Sequence, residues 1–551
     1  MRLLVMAVTL LWVQLASAEL PAIPIIAYHD VRDSVALDYD ADQFAISTRN
    51  LIEHFAWLRQ AGYQPISIDQ LVASIEGAAD LPERPVILTF DDGLASVYER
   101  VFPLLELFDY PAVISVVTSW IDRDSGVSMP PASNILTWDQ IREMQASGLI
   151  EVATHTHDLH HGILGNPQGN ELPAAVTRRF DGAAYENEHT YRSRISADLA
   201  TSIARILKET GGVPRTVTWP FGAFNDIAAE EAAAQGLSIS LTLEPSSFSR
   251  CGTLHLGRHL IASNPNLTDF SAELTLEDSA PVIRVAQVDL DYVYDEDPVQ
   301  QGRNLDRLLD RIKALKISHV YLQAFADFDG DGGASETYFP NRHLPMRADL
   351  FNRVAWQLKT RADVRVYAWM PMLSFVGEAF DDEWRVRQRV DDTFSIDPDS
   401  EPRLSPFSDD ARQLIGDIYE DLAIHARFDG ILFHDDARLS DIEDFSRPAL
   451  EAYEREFGPE VSLPDLVDDA TLRRQFGRFK TQALIDLSNE LTKRVRKHLP
   501  AIRTARNLFA SAILDAEAPG YLAQDYDAFL ANYDHFALMA MPQLEWAADE
   551  E

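Results

Sequence analysis

Short apolar runs, each ending in a polar cluster and followed by a longer amphipathic stretch, recur along the whole chain. In the first half they stand at 23–28, 64–68, 85–88, 112–117, 151–154, 217–219 and 241–243. Runs this short read as buried strands, whereas 44–61, which ends at Gly62, and the region around 101–108 carry a helical period. Strands alternating with helices argue for a parallel sheet closed, or nearly closed, as a barrel. The polar stretch 166–194 shows no clear period and is expected as a lid or insertion beside the strand ends, or as a mobile segment.

A polar stretch over 274–281 ends this pattern, which then starts again. Strands are expected at 282–290, 319–326, 364–372, 430–433, 502–508 and 536–541, with amphipathic helices such as 304–315 and 476–495 between them. That is the pattern of a second β/α barrel, whose chemistry belongs at the C-terminal ends of its strands. Six units are visible where a (β/α)8 barrel has eight, and 547–551 does not read as a last helix. The expectation is a barrel that stops about two units early, or one with units hidden from the pattern.

Length and composition permit two or three domains with full cores, since 551 residues are 46% hydrophobic and 25% charged. The N-terminus adds one segment. Arg2, an apolar run over 3–15 and Ala16-Ser17-Ala18 before Glu19 form a secretory signal with an Ala-x-Ala cleavage site, too short to span a bilayer. The expected order is a signal peptide over 1–18, a first domain over 19–275 and a second over 282–551. No later run approaches transmembrane length, and the single cysteine, Cys251, provides neither an internal disulfide nor a lipid attachment point after the signal. A formal charge of −39 argues against nucleic acid and anionic membranes as partners and suits a cationic ligand, such as a polymer bearing free amines.

The chemistry of the first half gathers at two strand ends. Thr89-Phe90-Asp91-Asp92-Gly93 puts two adjacent carboxylates at a turn, and such a pair resists ionising together unless a cation lies between them. Glu151-Val152-Ala153-Thr154-His155-Thr156-His157-Asp158-Leu159-His160-His161 brings four of the fifteen histidines within seven residues. One Asp and two His leave a coordination position open for water, as in a catalytic zinc site.

These motifs resemble the polysaccharide deacetylases of carbohydrate esterase family four. In that family the first Asp of the pair is the base, and the second binds the metal with two histidines. The resemblance therefore implies Asp91 as base and Asp92 as ligand. The usual family spacing of the histidines is four, which His157 and His161 would satisfy. The five-residue spacing of His155 and His160 is similar to that of the poly-β-1,6-N-acetylglucosamine deacetylases. The implied ligands are Asp92, His155 and His160, with His161 the alternative to His160, around a divalent zinc, nickel, cobalt or iron ion.

The broader family protonates the leaving amine with a strand-end His near the C-terminus of the domain. No such strand follows residue 222, and Ile26-Ala27-Tyr28-His29-Asp30 resembles it moved to the front, as in a circularly permuted barrel. His29 is the implied acid, with Asp30 as its orienting partner. Val217-Thr218-Trp219-Pro220-Phe221-Gly222 resembles the family's groove motif, in which Trp219 and Phe221 would stack on the sugar. The Arg that orients the base in this motif is missing from 216–219, which implies an untuned base and modest activity.

The strand ends of the second half are acidic and aromatic in turn, which suits glycosidic cleavage. The stretch from Phe428 through His434-Asp435-Asp436 to Asp441 resembles the C-terminal, glycoside-hydrolase-like domain of the same deacetylases. Asp435 and Asp436 are the implied binding carboxylates and Asp441 the acid, for cutting the polymer or only for gripping it. Asp327-Phe328-Asp329-Gly330-Asp331-Gly332 imitates the start of a calcium loop, but Tyr338 stands where the closing Glu belongs.

As a whole, the resemblance implies partial N-deacetylation of poly-β-1,6-N-acetyl-D-glucosamine by a periplasmic monomer during biofilm exopolysaccharide export, with an outer-membrane porin as partner. The alternatives are a peptidoglycan or chitin-oligomer deacetylase and a non-catalytic polysaccharide-binding export scaffold.

Overall fold

The computed structural model describes residues 23–540 except 37–39, 124–134, 245–246, 276–282, 328–329, 391–392 and 460–468. The signal segment, the centre of the linker, part of the calcium-like loop and the last residues therefore lie outside the described residues. Two compact units are present, one of 1–158, 198–222 and 232–276, the other of 159–197, 223–231 and 277–551.

In the first unit seven strand positions run side by side, all parallel: β1 Ile25–Tyr28, β2 Pro85–Phe90, β3 Ala112–Val116, β4 Ile150–Thr154, β5 Thr216–Thr218, β6 Ile239–Thr242 and β7 Thr253–Gly257. One residue beyond β7, β8 (His259–Leu260) pairs with β1. The chain thus crosses from the β6 edge to the β1 edge through Arg258, and the sheet closes as a barrel.

Pleating assigns the faces. Ile25, Ile87, Val113, Ala153, Ile239, Leu241 and Leu256 pack together inside the barrel. Ile26, Leu88, Phe90, Ile114 and Val152 pack in the outer cluster with helix residues such as Leu51 and Phe55 of Thr48–Gln60.

The second unit carries six parallel strands in strict chain order: β9 Val285–Val288, β10 His319–Gln323, β11 Arg365–Met370, β12 Gly430–Phe433, β13 Arg503–Phe509 and β14 His535–Met539. These are the six expected strands, and among the described residues β9 and β14 are not paired with each other. Val320, Leu322, Val366, Ala368, Ile431 and Phe433 face the helix layer, while Tyr367, Leu432 and Ala505 face the other way.

The stretch expected as a lid or mobile insertion is folded. Gly162–Leu164 pairs antiparallel with Glu171–Pro173, and Glu188 opens a helix that runs to Thr210. Arg194 donates to the carbonyls of Ala174 and Thr177 at 2.8 and 2.9 Å and to Glu186 at 2.8 Å, which ties the intervening loop to that helix. Its order comes from these polar bonds together with scattered buried apolar residues such as Leu172, Val176 and Tyr191, whose spacing makes no clear period.

Gly430 is fixed by its neighbours: a methyl there would lie 2.3 Å from the Tyr367 ring and 2.7 Å from the Arg503 carbonyl oxygen. Gly430→Ala is expected to destabilise the second unit by about 1–3 kcal/mol, as overpacking of a tight core does, read as a lowered urea midpoint.

Candidate active site

Inward parity carries the first unit's polar residues to the mouth of the barrel. Thr89 and Asp91 continue the register of Ile87, His155 that of Ala153, His29 that of Ile25, and Arg258 that of Leu256. Asp92 would point outward, but its φ of 71° breaks the pleat and turns its carboxylate back. Thr156, beside His155, also has a φ of 71°, rare for a β-branched residue.

Asp91 is 2% exposed. The Arg258 guanidinium, itself buried, lies 2.9 Å from both of its carboxylate oxygens and also donates to Thr89 Oγ1 at 3.0 Å and to the Thr242 carbonyl at 3.2 Å. Burial pushes the Asp91 carboxyl up, but the charges of Arg258, His155 and His29 outweigh it and hold the group below the ordinary carboxylate value. His29 Nε2 stands 4.0 Å from Asp91 Oδ2, and His29 Nδ1 has no hydrogen-bond partner among the described residues. The Asp30 carboxylate is taken by Ser96 at 2.7 Å and Arg32 at 3.1 Å, so it does not orient His29 as expected.

His155 is 2% exposed, and its Nδ1 lies 2.7 Å from the Thr218 carbonyl, which fixes that nitrogen as the donor. Its Nε2 faces Asp92, 3.4 Å away. One ligand atom each from Asp92, His155 and His160 lie within 4.8 Å of one another, and His161 is in no such group among the described residues. A carboxylate and two imidazoles, one with its far nitrogen already committed, fit a divalent ion of the zinc type. Asp198 holds the loop by accepting from the backbone N–H of His157 at 2.8 Å and of Asp158 at 2.7 Å.

The groove motif splits. Phe221 is 53% exposed on a turn where its φ is 59°, but Trp219 is fully buried and donates its indole N–H to Ser240 at 2.7 Å. Trp219 follows an inward-facing position and so lies on the outer face of the sheet, with no ring face left for a sugar. The missing arginine is supplied by Arg258 from a different strand, which removes the reason for expecting an untuned base. Its signal was legible: in Leu254-His255-Leu256-Gly257-Arg258 a cation continues the apolar register of Leu254 and Leu256. Nothing in the sequence pointed to Asp198.

In the second unit Asp435 lies beside His434, with Oδ1 2.8 Å from the imidazole Nδ1. Trp369 Nε1 also stands 2.8 Å from that nitrogen, which cannot accept from the indole and donate to the carboxylate at once. Burial lowers the His434 pKa, but Asp435 and Asp436 raise it overall, which favours donation to Asp435. Asp436 is fully buried and accepts from the backbone N–H groups of Met372, Leu373 and Ser374 at 2.6–3.0 Å. It builds the turn after β11 and is not available to bind sugar as expected. Asp441 is partly exposed on the loop after β12.

The chain matches the polysaccharide deacetylase family over residues 78–240 and hypothetical glycosyl hydrolase family 13 over 287–551. It is 43% identical over 535 residues to the poly-β-1,6-N-acetyl-D-glucosamine N-deacetylase of Escherichia coli strain K12, covering 95% of this chain and 79% of that protein. Similar solved structures include the glycoside hydrolase domain of PgaB (BpsB) from Bordetella bronchiseptica, at 49% identity, covering 49% of this chain and 77% of that one with a TM-score of 0.45. A de-N-acetylase from Aggregatibacter actinomycetemcomitans is 36% identical and covers 45% of this chain and 98% of its own, with a TM-score of 0.42.

Calorimetric titration with zinc separates the two histidines. His160→Ala is expected to weaken zinc binding by about 100-fold or more, while His161→Ala leaves it near the wild-type value.

Proposed function

Because the chain belongs to the poly-β-1,6-N-acetyl-D-glucosamine N-deacetylase family, we propose that its polysaccharide deacetylase part removes acetyl groups from that polymer, with Asp91 as base and His29 as acid. The observation that carries this reading is the buried Asp91–Arg258 pair at the barrel mouth, with Asp92, His155 and His160 beside it. Bound to those three residues, a divalent ion would polarise the acetyl carbonyl and acidify water. Asp91, kept ionised by Arg258, accepts the proton of the attacking water. The 4.0 Å between Asp91 and His29 leaves the imidazole facing the same space, from which it protonates the departing amine. Phe221, exposed at the rim, offers a ring for the C–H face of the sugar.

The product carries free amines. The second unit grips this cationic polymer through Asp435 and Asp441 and cuts it with Asp441 as acid. Arg2, the apolar run after it and Ala16-Ser17-Ala18 support export to the periplasm, where the deacetylated polymer passes to an outer-membrane porin.

Acetate release from β-1,6-linked N-acetylglucosamine oligomers, after loading with zinc, nickel or cobalt, is the direct test. Asp91→Asn and His155→Ala are each expected to lower kcat by about 10²–10⁴-fold. No release from the wild type with any of these metals, or release only from β-1,4-linked oligomers, would overturn the reading.

A second outcome follows from the ion pair. Asp91 has its pKa depressed in the fold, so its contribution to stability is present above the unfolded value of about 4 and is lost as pH falls through the folded value. Arg258→Met removes the cation that favours the carboxylate. The acid limb of kcat/KM is therefore expected to move to higher pH, at a cost of about 3–5 kcal/mol in stability for the unpaired buried charge.

A further inference from the structure

Among the described residues the second unit buries several cations that the proposed chemistry does not use. Lys480, Arg403 and Arg506 are 0%, 5% and 0% exposed, and each donates to the loop that follows β12. Arg506, on the helix-facing side of β13, donates to the Ala437 carbonyl at 2.8 Å and to the Tyr533 hydroxyl at 2.7 Å. Arg403 donates to the Arg438 carbonyl and, at 2.7 Å, to the Glu443 carboxylate. Lys480, in the helix Ala470–Arg496, donates to the Ser440 carbonyl and, at 2.7 Å, to the Glu443 carbonyl. Its ammonium also stands 4.0 Å from the centre of the Phe476 ring. Glu443 closes the loop on itself by accepting from the backbone N–H and hydroxyl of Ser440, both at 3.2 Å.

Four main-chain carbonyls, at 437, 438, 440 and 443, are thus held from inside, and those of Ser440 and Glu443 lie on either side of Asp441. Loop carbonyls are ordinarily satisfied by water at no such expense. Burying an ammonium carries a desolvation cost that apolar packing at the same place would avoid, so stability alone does not account for Lys480.

We propose that Lys480 is a positioning residue for Asp441: by holding the carbonyls on both sides of it, the buried ammonium fixes where this carboxylate meets an aminosugar. The inference rests on the reading of Asp441 as a polymer-contacting group of the second unit. Lys480 faces Asp441, Glu443 and Asp444, and burial pushes its pKa down to about 7. Below that pH the loop carries a buried positive charge beside Asp441; above it the loop keeps its hydrogen bonds but loses that charge.

The test is a double-mutant cycle in the full-length chain, read by the affinity and the cleavage rate for a fully de-N-acetylated β-1,6-glucosamine oligomer. Lys480→Met is expected to weaken binding or kcat/KM about tenfold in the wild-type background and to cost nothing further once Asp441→Asn is present. It should also shift the pH profile of that step, while Asp441→Asn abolishes the shift. Equal losses in both backgrounds would mean a general structural role and overturn the proposal. If Lys480→Met does not fold, Lys480→Arg, which keeps the charge and the donors, enters the same cycle. If the wild type neither binds nor cuts the oligomer, the reading of the second unit fails. The clamp then stands or falls on amide exchange over 437–443: faster exchange confined to that loop in Lys480→Met upholds it, and unchanged exchange overturns it.

Discussion

The buried ion pair between Arg258 and Asp91 is the constraint around which the first unit is arranged. A carboxylate with 2% of its surface exposed stays ionised only if a partner is held against it, because the desolvation cost otherwise favours the neutral acid. Arg258 is placed to do this by being the single residue between β7 and β8, where the sheet passes from one edge to the other and closes. The same Nη1 also reaches Thr89 and its Nε reaches Thr242, so one guanidinium ties β2, β6 and the closing strand together. Barrel closure and the protonation state of Asp91 are in this sense the same interaction.

Strain is concentrated beside that pair. Asp92 and Thr156 both occupy left-handed backbone, which costs a non-glycine residue on the order of 1–2 kcal/mol. The surrounding bonds hold the conformation in place. Thr156 N–H donates to Thr154 Oγ1 at 3.0 Å, its carbonyl accepts from Thr118 N–H at 3.2 Å, and Asp198 takes the next two amides. A regular strand would send Asp92 to the outer face, away from His155. The strained turn brings a carboxylate and an imidazole from the ends of β2 and β4, which flank β3, to one point.

Much of this was readable from the chain, because strand parity and strand-end chemistry are local. Residues 85–91 and 151–155 show both the apolar register and the polar residue that continues it. The six strands of the second unit were found for the same reason. What parity showed for Asp91 it also showed against Trp219, whose position beside inward-facing Thr218 puts it on the outer face; motif likeness concealed this. The same limit applies to Asp436. Its carboxylate is next to Asp435 in sequence, yet it meets three backbone amides 62–64 residues away. Asp198 and Lys480 depend on long-range polar bonds, and the order of 166–194 on polar bonds and scattered apolar residues, none of which leaves a period.

The two units use buried cations in opposite ways, and the difference follows from what each carboxylate has to meet. In the first, Arg258 contacts the carboxylate itself, so Asp91 stays charged in a closed space. In the second, Arg403, Arg506 and Lys480 donate largely to main-chain carbonyls of the loop. The loop is held firmly while Asp435 and Asp441 remain partly exposed. A carboxylate whose charge is already neutralised by a guanidinium held against both of its oxygens has little attraction left for an ammonium group. Gripping the backbone instead of the side chain fixes the geometry and leaves the negative charge outward, which is what recognition of a polymer that gains amines requires. The sum of 87 acidic against 48 basic residues extends the same field over the surface.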